Sequence, residues 1–554
     1  MLTVQELVGA VPKEVYGVAL ATLVAYVSLR AVVNIDRVLK KIYPVVLLAG
    51  AYYRYQQLTT TTSDAPHVEA AVGDLVVVAL ALHVVINVLD VIRKSRYVSK
   101  KNVLNVIGGT AVSVMKKIPL VSGKLASEIK KIEEQIEHSL KGEHSPKMAK
   151  IYELPAKGMA DDKLVALMES LAGDADKKWQ EGLVSGAVYH GEKDHLDVLN
   201  KAYALFSVSN PLHADIWPAV GKFEAEVIAM TASLMSNGSD EVCGTLSSGG
   251  TESIFLATKT HREYYRSKHG ITKPEIIACV PMDPKTLKSD LNAIKWNITA
   301  NTIMIYSSAP NFPNGIIDDI EGLSKIAVAN DVGLHVDCCL GGFILPFAKK
   351  LRPSMPKFDF ELPGVTSMSC DTHKYGYASK GTSVVLYKTK EIRRFQYFAY
   401  PDWTGGLYVT PTLAGSRPGA LSAAAWASMI RLGYEGFMKN TEQILATAEE
   451  IKEGIKKIDG LFVLGDPQVM VICFGGKGLN ILKVSDAMAK KGWSLNSLQH
   501  PASVHLCVTA VDVVKQDPNG ALEGGSAIYG MASSMPAGPV DDILRIYTDV
   551  TLKV

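Results

Sequence analysis

The chain has 554 residues, a formal net charge of +2 and 47% hydrophobic residues. This length exceeds what one simple core accommodates, so we expect a main domain with appended segments. The small net charge gives no indication of nucleic-acid binding. The seven cysteines are scattered without a CxxC spacing, which favours reduced core thiols over a disulfide framework or a metal site.

The first hundred residues contain three apolar runs, at positions 15–33, 43–53 and 75–92. A transmembrane helix needs about 20 apolar residues, so the third run is a suitable span. The first run, which is nearly free of charge until Arg30, is also a candidate span, whereas the second is too short to span unaided. Five Lys and Arg residues between positions 93 and 101 place the C-terminal side in the cytoplasm. We predict a membrane anchor over residues 1–100; the alternative is a buried helix pair of a soluble domain.

Residues 101–160 are basic and amphipathic, with charged blocks such as KKIEEQ. This pattern predicts a solvated juxtamembrane linker with lysines near anionic headgroups; a specific lipid-binding role is the alternative. Folded sequence begins near Asp161. We expect a large domain over residues 161–415 and a smaller domain over residues 416–554, which opens with a long helix and continues with short strands.

Two polar segments precede the first long helix of the large domain, which is predicted from about Pro218. The segment SGAVYHGEKDH carries Tyr189, and a turn at Asn210 is followed by His213. On the residues alone, these three side chains are ordinary surface features.

A glycine-containing loop leads into a helix in LSSGGTESIFLATKTHREYY, residues 246–265. Free backbone N–H groups and the helix dipole favour an anion at such an N-terminus. Gly249 and Gly250 allow close approach, and the Thr251 hydroxyl can donate a hydrogen bond to a phosphate. A Gly-Gly pair before a helix can also be only a turn.

Strand and helix patterns then alternate through IIACV, NTIMIYSSAP, a helix over residues 320–329 and LHVD. This alternation predicts a largely parallel sheet with helical crossovers. Asp337 ends a short buried strand in HVDCCLGGF. Taken alone, Asp337 could be an ordinary aspartate in a turn at a strand end.

A polar loop joins two predicted strands in VTSMSCDTHKYGYASKGTSVVLY, residues 365–387, and presents His373, Lys374 and Lys380. A lysine that is desolvated, held rigidly and close to phosphate-binding groups can hold pyridoxal phosphate as a Schiff base. By itself, Lys374 could equally be a surface lysine.

The order of these features makes the cofactor prediction specific. Asp337 lies 37 residues before Lys374, a distance that suits two strands of one sheet. A carboxylate against the pyridine nitrogen keeps the ring protonated, so that the ring accepts electrons. A phosphate-binding loop, a ring-nitrogen aspartate and a Schiff-base lysine together predict an enzyme that uses pyridoxal 5'-phosphate.

Four segments, SSGGTESI, HVDCCLGGF, SCDTHKYGYASKGTSVVLY and GGLYVTPTLAGSRPG, together resemble the sphingosine-1-phosphate lyase family within the group II pyridoxal-phosphate decarboxylases. The resemblance runs from about Leu154 to about Pro536. It implies an α/β fold of the aspartate-aminotransferase type (fold type I). It also implies cleavage of the C2–C3 bond of a phosphorylated sphingoid base to a long-chain aldehyde and phosphoethanolamine. A homodimer is implied as well, anchored in the endoplasmic reticulum membrane with its catalytic domain facing the cytosol.

The resemblance also implies a role for individual residues. Those near the substrate phosphate would be Tyr189, His213 and Lys380. Those at the cofactor would be Asn210, Gly250, Thr251, Asp337, His373 and Lys374, with Thr410 of the partner subunit at the cofactor phosphate. The catalytic base stays open between Lys374, Lys380 and Tyr189, each of which needs a lowered pKa.

Two pieces of the family pattern are missing. After PEIIA, relatives carry a segment with a histidine that stacks on the cofactor ring, whereas Cys279 here runs almost directly into VPMDPKTLKSD. After VHLCVTAVD, a helix of the small domain is missing, and Asn314 stands where relatives usually have histidine. Such losses predict an unfilled cavity and unpaired strand edges.

Three functions follow from these observations. The first is an active, membrane-anchored sphingosine-phosphate lyase. The second is another pyridoxal-phosphate decarboxylase that acts on an amino acid; the predicted anchor and the phosphate-binding set count against it. The third is a catalytically impaired isoform that only dimerises with an intact lyase at the membrane.

Overall fold

The computed structural model describes residues 151–172, 177–278 and 282–513, together with the isolated positions 130, 131 and 134. All of them lie in the second of two compact units, Lys100–Val554. The predicted membrane runs, most of the linker, Cys279 and the end of the small domain fall outside these residues. Within the described ranges, no helix combines the length and apolar character needed to cross a bilayer.

The described residues form helices and strands in alternation. The helices are α1 (Asp161–Ala172), α2 (Lys177–Gln180), α3 (Lys193–Leu205), α4 (Pro218–Met235), α5 (Gly250–His269), α6 (Leu291–Asn297), α7 (Ile320–Asn330), α8 (Leu345–Leu351), α9 (Lys390–Arg394), α10 (Gly419–Lys456), α11 (Ile481–Ala489) and α12 (Ala510–Val513). The strands are β1 (Cys243–Ser247), β2 (Glu275–Ile277), β3 (Thr302–Ser308), β4 (Gly333–Asp337), β5 (Val365–Cys370), β6 (Ser383–Tyr387), β7 (Phe398–Tyr400), β8 (Tyr408–Thr410), β9 (Leu461–Val463), β10 (Val471–Gly476), β11 (Asn496–Leu498) and β12 (Ser503–Cys507).

The predicted large domain contains a six-stranded sheet in the order β1-β6-β5-β4-β3-β2. Strands β2 to β5 pair in parallel, and β6 runs antiparallel to both of its neighbours. The prediction of a largely parallel sheet is confirmed. The apolar runs of β3, β4, β5 and β6 suit this arrangement because helices cover both faces of such a sheet and exclude water from it.

The sheet direction brings the predicted site loops to one edge. Strands β1, β4 and β5 run the same way, so their carboxyl ends, Ser247, Asp337 and Cys370, meet there. Residue Asp337 is in register with Ser369 of β5. Ligands of open α/β sheets bind outside this edge, and here it carries the start of α5 and the loop between β5 and β6.

Two helices hold this edge in place. Helix α5 packs Leu256 and Ala257 into the core and ends at Gly270, whose φ of 65° favours glycine. Helix α10 contributes Ala425 and Ala448, together with the larger Met429 and Phe437, to the main core.

Strand β2 is one of the two edge strands of the six-stranded sheet. It pairs with β3, and its residues Glu275 and Ile276 are exposed. The first missing family segment would follow this strand directly, whereas the second would follow α12, where the described residues end. Asn314 is buried and donates to the Cys473 sulfur at 3.4 Å.

The segment predicted as the small domain contains a four-stranded antiparallel sheet in the order β11-β12-β10-β9. The six cysteines within the described residues are all buried and free. For these six, the prediction of reduced core thiols is confirmed.

Candidate active site

Lys374 lies in the loop between β5 and β6, and its Nζ is 2.7 Å from Oδ2 of Asp371. The Lys374 side chain is 24% exposed, whereas that of Asp371 is only 2% exposed. Burial opposes the charge on Lys374, but the Asp371 carboxylate outweighs it and raises the pKa of Lys374 above its usual value. The lysine is therefore a half-buried ammonium group with its own counterion.

The start of α5 packs directly against this ion pair. A Cβ atom on Gly250 would lie 2.4 Å from the Cys339 sulfur and 2.9 Å from Oδ1 of Asp371. Only a residue without a side chain fits this position. The close approach brings the first turn of α5, with its free N–H groups, to the lysine loop.

The loop before α5 is held by side chains of its own helix. Ser247 and Ser253 share a hydrogen bond of 2.7 Å. Glu252 accepts from the Ser248 N–H at 2.7 Å and from the Leu413 N–H at 3.2 Å. Thr251 is exposed at this end of the helix, so its hydroxyl is accessible to an anion.

Asp337 is half-buried at the end of β4 and accepts three hydrogen bonds. Oδ1 accepts from the Cys339 N–H at 2.8 Å and the Ser369 hydroxyl at 3.2 Å. Oδ2 accepts from the Tyr306 hydroxyl at 2.5 Å. Burial raises the pKa of Asp337, but the bonds from Cys339 and Tyr306 outweigh it and hold this pKa below the usual range. The carboxylate is therefore ionised at neutral pH.

Asp337 and Lys374 lie at the same edge of the sheet, at the end of β4 and just after the end of β5, and the charge of Asp337 also raises the pKa of Lys374. Behind Asp337, the His335 ring contacts the Ser367 hydroxyl at 2.8 Å and that of Ser369 at 3.3 Å. Burial lowers the pKa of His335 to about 4. The neutral His335 ring therefore supports the Ser369 hydroxyl that donates to Asp337.

His373 directly precedes Lys374 in the loop between β5 and β6, and its ring lies beside the start of α5. Its Nε2 is 3.5 Å from Oδ2 of Asp371, and its Nδ1 accepts from the Thr382 N–H at 3.3 Å. A Cβ on Gly249 would lie 3.7 Å from its ring. Burial lowers the pKa of His373, which favours the neutral form of its ring.

Lys380 and Tyr189 form the outer side of the site. Lys380 Nζ donates to the Ala187 carbonyl at 2.6 Å and lies 4.5 Å from the centre of the Tyr189 ring. Reduced hydration, followed by the charge of Lys374, lowers the pKa of Lys380 to about 8. Burial raises the pKa of Tyr189, so Tyr189 is a hydroxyl donor rather than a base near neutral pH.

Asn210 forms hydrogen bonds with a second loop, over residues 410–417, and Thr410 is part of that loop. The Asn210 side chain donates to the Ser416 hydroxyl at 3.1 Å and accepts from the Arg417 N–H at 3.1 Å. The Thr410 hydroxyl donates to the Ala414 carbonyl at 3.0 Å. The Asn210 side chain also accepts from the Leu212 N–H at 3.1 Å. Among the described residues, the hydrogen bonds of these two side chains therefore go to this loop and to the Asn210 turn. His213 is exposed on the turn after Asn210.

The residues present fit pyridoxal phosphate. The first turn of α5 and the bare Gly250 backbone suit its phosphate, and Asp337 suits its ring nitrogen. Oδ1 of Asp371 and the Thr372 hydroxyl are buried without a hydrogen-bond partner among the described residues. Buried polar groups normally have partners, so these two atoms indicate a polar ligand here.

Comparisons with known proteins agree with this chemistry. Residues 270–477 match the family model described as the pyridoxal-dependent decarboxylase conserved domain. A sphingosine-1-phosphate lyase of Oryza sativa subsp. japonica is 43% identical over 499 residues, which cover 82% of this chain and 91% of the relative. The chain belongs to the sphingosine-1-phosphate lyase family. A family member from Dictyostelium discoideum is 46% identical, with 70% of this chain and 79% of the relative covered.

Solved structures extend the comparison to the fold. A sphingosine-1-phosphate lyase of Burkholderia pseudomallei matches with a TM-score of 0.65 and 36% identity, covering 74% of this chain and 94% of the other. A glutamate decarboxylase of Lactobacillus brevis matches with a TM-score of 0.56 at 18% identity, which shows a shared fold alone. The predicted fold and cofactor class of a pyridoxal-phosphate lyase are confirmed.

The structure brings most of the predicted site residues together at the sheet edge: Tyr189, Gly250, Thr251, Asp337, His373, Lys374 and Lys380. Sequence reasoning assigned no role to Asp371, Tyr306 or Ser369. The i,i+3 spacing of Asp371 and Lys374 was a signal for the first. The contacts of the other two with Asp337 depend on the register of β3, β4 and β5.

Proposed function

We propose that this chain is a sphingosine-1-phosphate lyase that uses pyridoxal phosphate. It cleaves the C2–C3 bond of a phosphorylated sphingoid base to a long-chain aldehyde and phosphoethanolamine. The observation that carries the proposal is the convergence of Lys374, Asp337 and Gly250 at one sheet edge. The relatives support it, since the lyases from rice and Dictyostelium discoideum are 43% and 46% identical.

The bound cofactor would supply an electron-accepting ring. Lys374 would hold it covalently, with Asp337 on the ring nitrogen and the first turn of α5 on its phosphate. During cleavage the C2–C3 electron pair stays at C2, the C3 hydroxyl becomes the aldehyde carbonyl, and its proton passes to a base. C2 later takes a proton, which completes phosphoethanolamine.

Lys380 is the cation at the outer side of the site. An ammonium group there suits the dianionic phosphate of the substrate. The same lowered pKa, about 8, would also suit a base for the C3 hydroxyl. The two roles need opposite protonation states, so the pH dependence of the reaction distinguishes them.

A homodimer is part of the proposal. The β7–β8 hairpin and the loop after it expose large apolar side chains, namely Phe398, Trp403, Leu407, Val409 and Leu413; Leu407 is 89% exposed and Leu413 66% exposed. Exposed apolar patches of this kind mark interaction surfaces. The Leu413 N–H also donates to Glu252 beside the phosphate loop, so a second copy on this patch would lie close to the site.

The proposal also includes a membrane location. The apolar runs before residue 100 and the basic cluster at residues 93–101 support an anchor in the endoplasmic reticulum with the catalytic part in the cytosol. A substrate with a long hydrocarbon chain partitions into bilayers, so an anchored enzyme meets it there.

The test uses the full chain purified in detergent with added pyridoxal phosphate. The cofactor absorbance and the phosphoethanolamine released from a phosphorylated sphingoid base are measured for the wild type, Lys374→Ala and Lys350→Ala, an exposed lysine on α8. We expect the wild type and Lys350→Ala to show the absorbance band of lysine-bound cofactor, distinct from that of free pyridoxal phosphate, and to release phosphoethanolamine. We expect neither in Lys374→Ala.

Two results would contradict the proposal. Release of carbon dioxide from an amino acid, without phosphoethanolamine, would identify a decarboxylase. Absence of cofactor binding in the wild type, with co-purification of an intact lyase, would identify an impaired dimerisation partner.

A further inference from the structure

The acceptor positions of Asp337 are nearly filled by the protein itself. A carboxylate offers about four lone-pair positions, two on each oxygen. Oδ1 accepts from the Cys339 N–H and the Ser369 hydroxyl, and Oδ2 accepts from the Tyr306 hydroxyl at 2.5 Å. A ring nitrogen on Asp337 would therefore share Oδ2 with Tyr306.

The strand register fixes the Tyr306 hydroxyl in this position. Tyr306 of β3 is in register with His335 of β4, and Ser308 with Asp337. Residues two apart on a strand face the same side, so the side chains of Tyr306, His335 and Asp337 share one face of the sheet. The rings of Tyr306 and His335 stack at 5.6 Å with an angle of 23° between their planes. The Tyr306 side chain that donates to Asp337 is therefore held in place by packing against the His335 ring.

We propose that Tyr306 is a positioning residue that limits how strongly Asp337 binds the protonated ring nitrogen of the cofactor. A hydroxyl that donates a hydrogen bond to an ionised carboxylate withdraws charge from the oxygen that accepts it. The second donor on that oxygen is then bound less tightly. The proposal rests on the role proposed above for Asp337.

The consequence concerns both affinity and chemistry. Weaker attraction for the ring N–H lowers cofactor affinity. It also lowers the fraction of ring that is protonated, and the protonated ring is the stronger electron acceptor. Tyr306 therefore sets the strength of the electron-accepting ring in this protein.

The test compares two ligands that differ at one ring atom. Pyridoxal phosphate and its 1-deaza analogue, which has carbon in place of the ring nitrogen, are titrated into the cofactor-free full chain. Dissociation constants are read from tryptophan fluorescence. Tyr306→Phe removes the competing donor, so we expect pyridoxal phosphate to bind about threefold to tenfold more tightly, with the affinity for the deaza analogue unchanged.

A second variant predicts the opposite shift without a loss of volume. Replacing Tyr306 by 3-fluorotyrosine makes the hydroxyl a stronger donor, so pyridoxal phosphate should bind more weakly while the deaza analogue is unaffected. Because this substitution nearly preserves shape, it keeps the proposal testable if Tyr306→Phe fails to fold.

Matched controls separate this effect from packing. Tyr387→Phe removes another buried tyrosine hydroxyl, which lies 3.0 Å from Thr260, and should change neither affinity. Equal weakening of both ligands in Tyr306→Phe would show a structural role only and overturn the proposal, as would unchanged binding of pyridoxal phosphate.

The role of Asp337 is tested in parallel. Asp337→Ala should weaken pyridoxal phosphate far more than the deaza analogue. If Asp337→Ala affects both ligands equally, the proposed role of Asp337 fails, and the inference on Tyr306 fails with it. If Asp337→Ala behaves as expected but Tyr306→Phe has no effect, only the inference on Tyr306 is overturned.

Discussion

Lys374 and Asp371 form an ion pair of 2.7 Å within a single loop, three residues apart. Asp371 is almost fully buried, with Oδ1 against Gly250. The pair keeps the Lys374 amine protonated in the cofactor-free chain, and an amine must lose this proton before it attacks an aldehyde. The Asp371 carboxylate therefore stabilises the protonated form of Lys374, which is the unreactive form.

Asp371→Asn should shift the reaction of Lys374 with pyridoxal phosphate to lower pH. The Asp371 charge raises the pKa of Lys374, so its removal increases the neutral fraction of the amine at a given pH. Pyridoxal phosphate is mixed with the cofactor-free chain, and the rate at which the cofactor absorbance changes is measured as a function of pH. Asp359→Asn is the control, since Asp359 is a buried carboxylate near another lysine, Lys349, at 3.6 Å. Coincident profiles for wild type and Asp371→Asn would refute this prediction.

The apparent substrate affinity should fall as the pH rises through about 8. The pKa of Lys380 is lowered to about 8, so its ammonium is present below this pH and lost above it. If Lys380 binds the substrate phosphate, KM rises above pH 8, and Lys380→Arg, which stays charged, abolishes this rise. Steady-state kinetics between pH 6 and 10 test it, and a loss of kcat in Lys380→Arg with unchanged KM would instead identify Lys380 as the base.

Gly250→Ala should destabilise the fold and abolish cofactor binding. Its Cβ would lie 2.4 Å from the Cys339 sulfur and 2.9 Å from Asp371 Oδ1, an overpacking that costs about 1–3 kcal/mol. Thermal unfolding and cofactor absorbance measure the two effects. Gly221→Ala in α4, where a Cβ would meet nothing within 4 Å, should leave both unchanged. Normal cofactor binding in Gly250→Ala would show that the phosphate does not lie against this backbone.

Leu407→Asp should weaken the proposed dimer without unfolding the chain. Leu407 is 89% exposed, so the carboxylate costs little in one chain but would be buried in a dimer. Sedimentation velocity in detergent measures the association. Val328→Asp, at a 56% exposed position on α7, is the control. A dimer of wild-type strength in Leu407→Asp would place the interface elsewhere.

Local pattern was enough to predict the principal elements of the site. The strands over Val365–Cys370 and Ser383–Tyr387 and the helix that begins at Pro218 match their predictions, because apolar runs and turn residues act over a few positions. The roles of Asn210, His213 and Thr410 stay predictions, because they depend on a second chain or on bound ligands.

Local sequence patterns were enough to predict the chemistry of the site: a lysine in a loop between strands, an aspartate at a strand end and glycines before a helix. Each of these patterns consists of residues that are close together in the sequence. The hydrogen bonds from Tyr306 and Ser369 to Asp337 and the packing of Gly250 against Asp371 emerge only from the folded chain. Such contacts join residues far apart in the sequence, and the register of a parallel sheet, set by packing over its whole face, selects which of them meet.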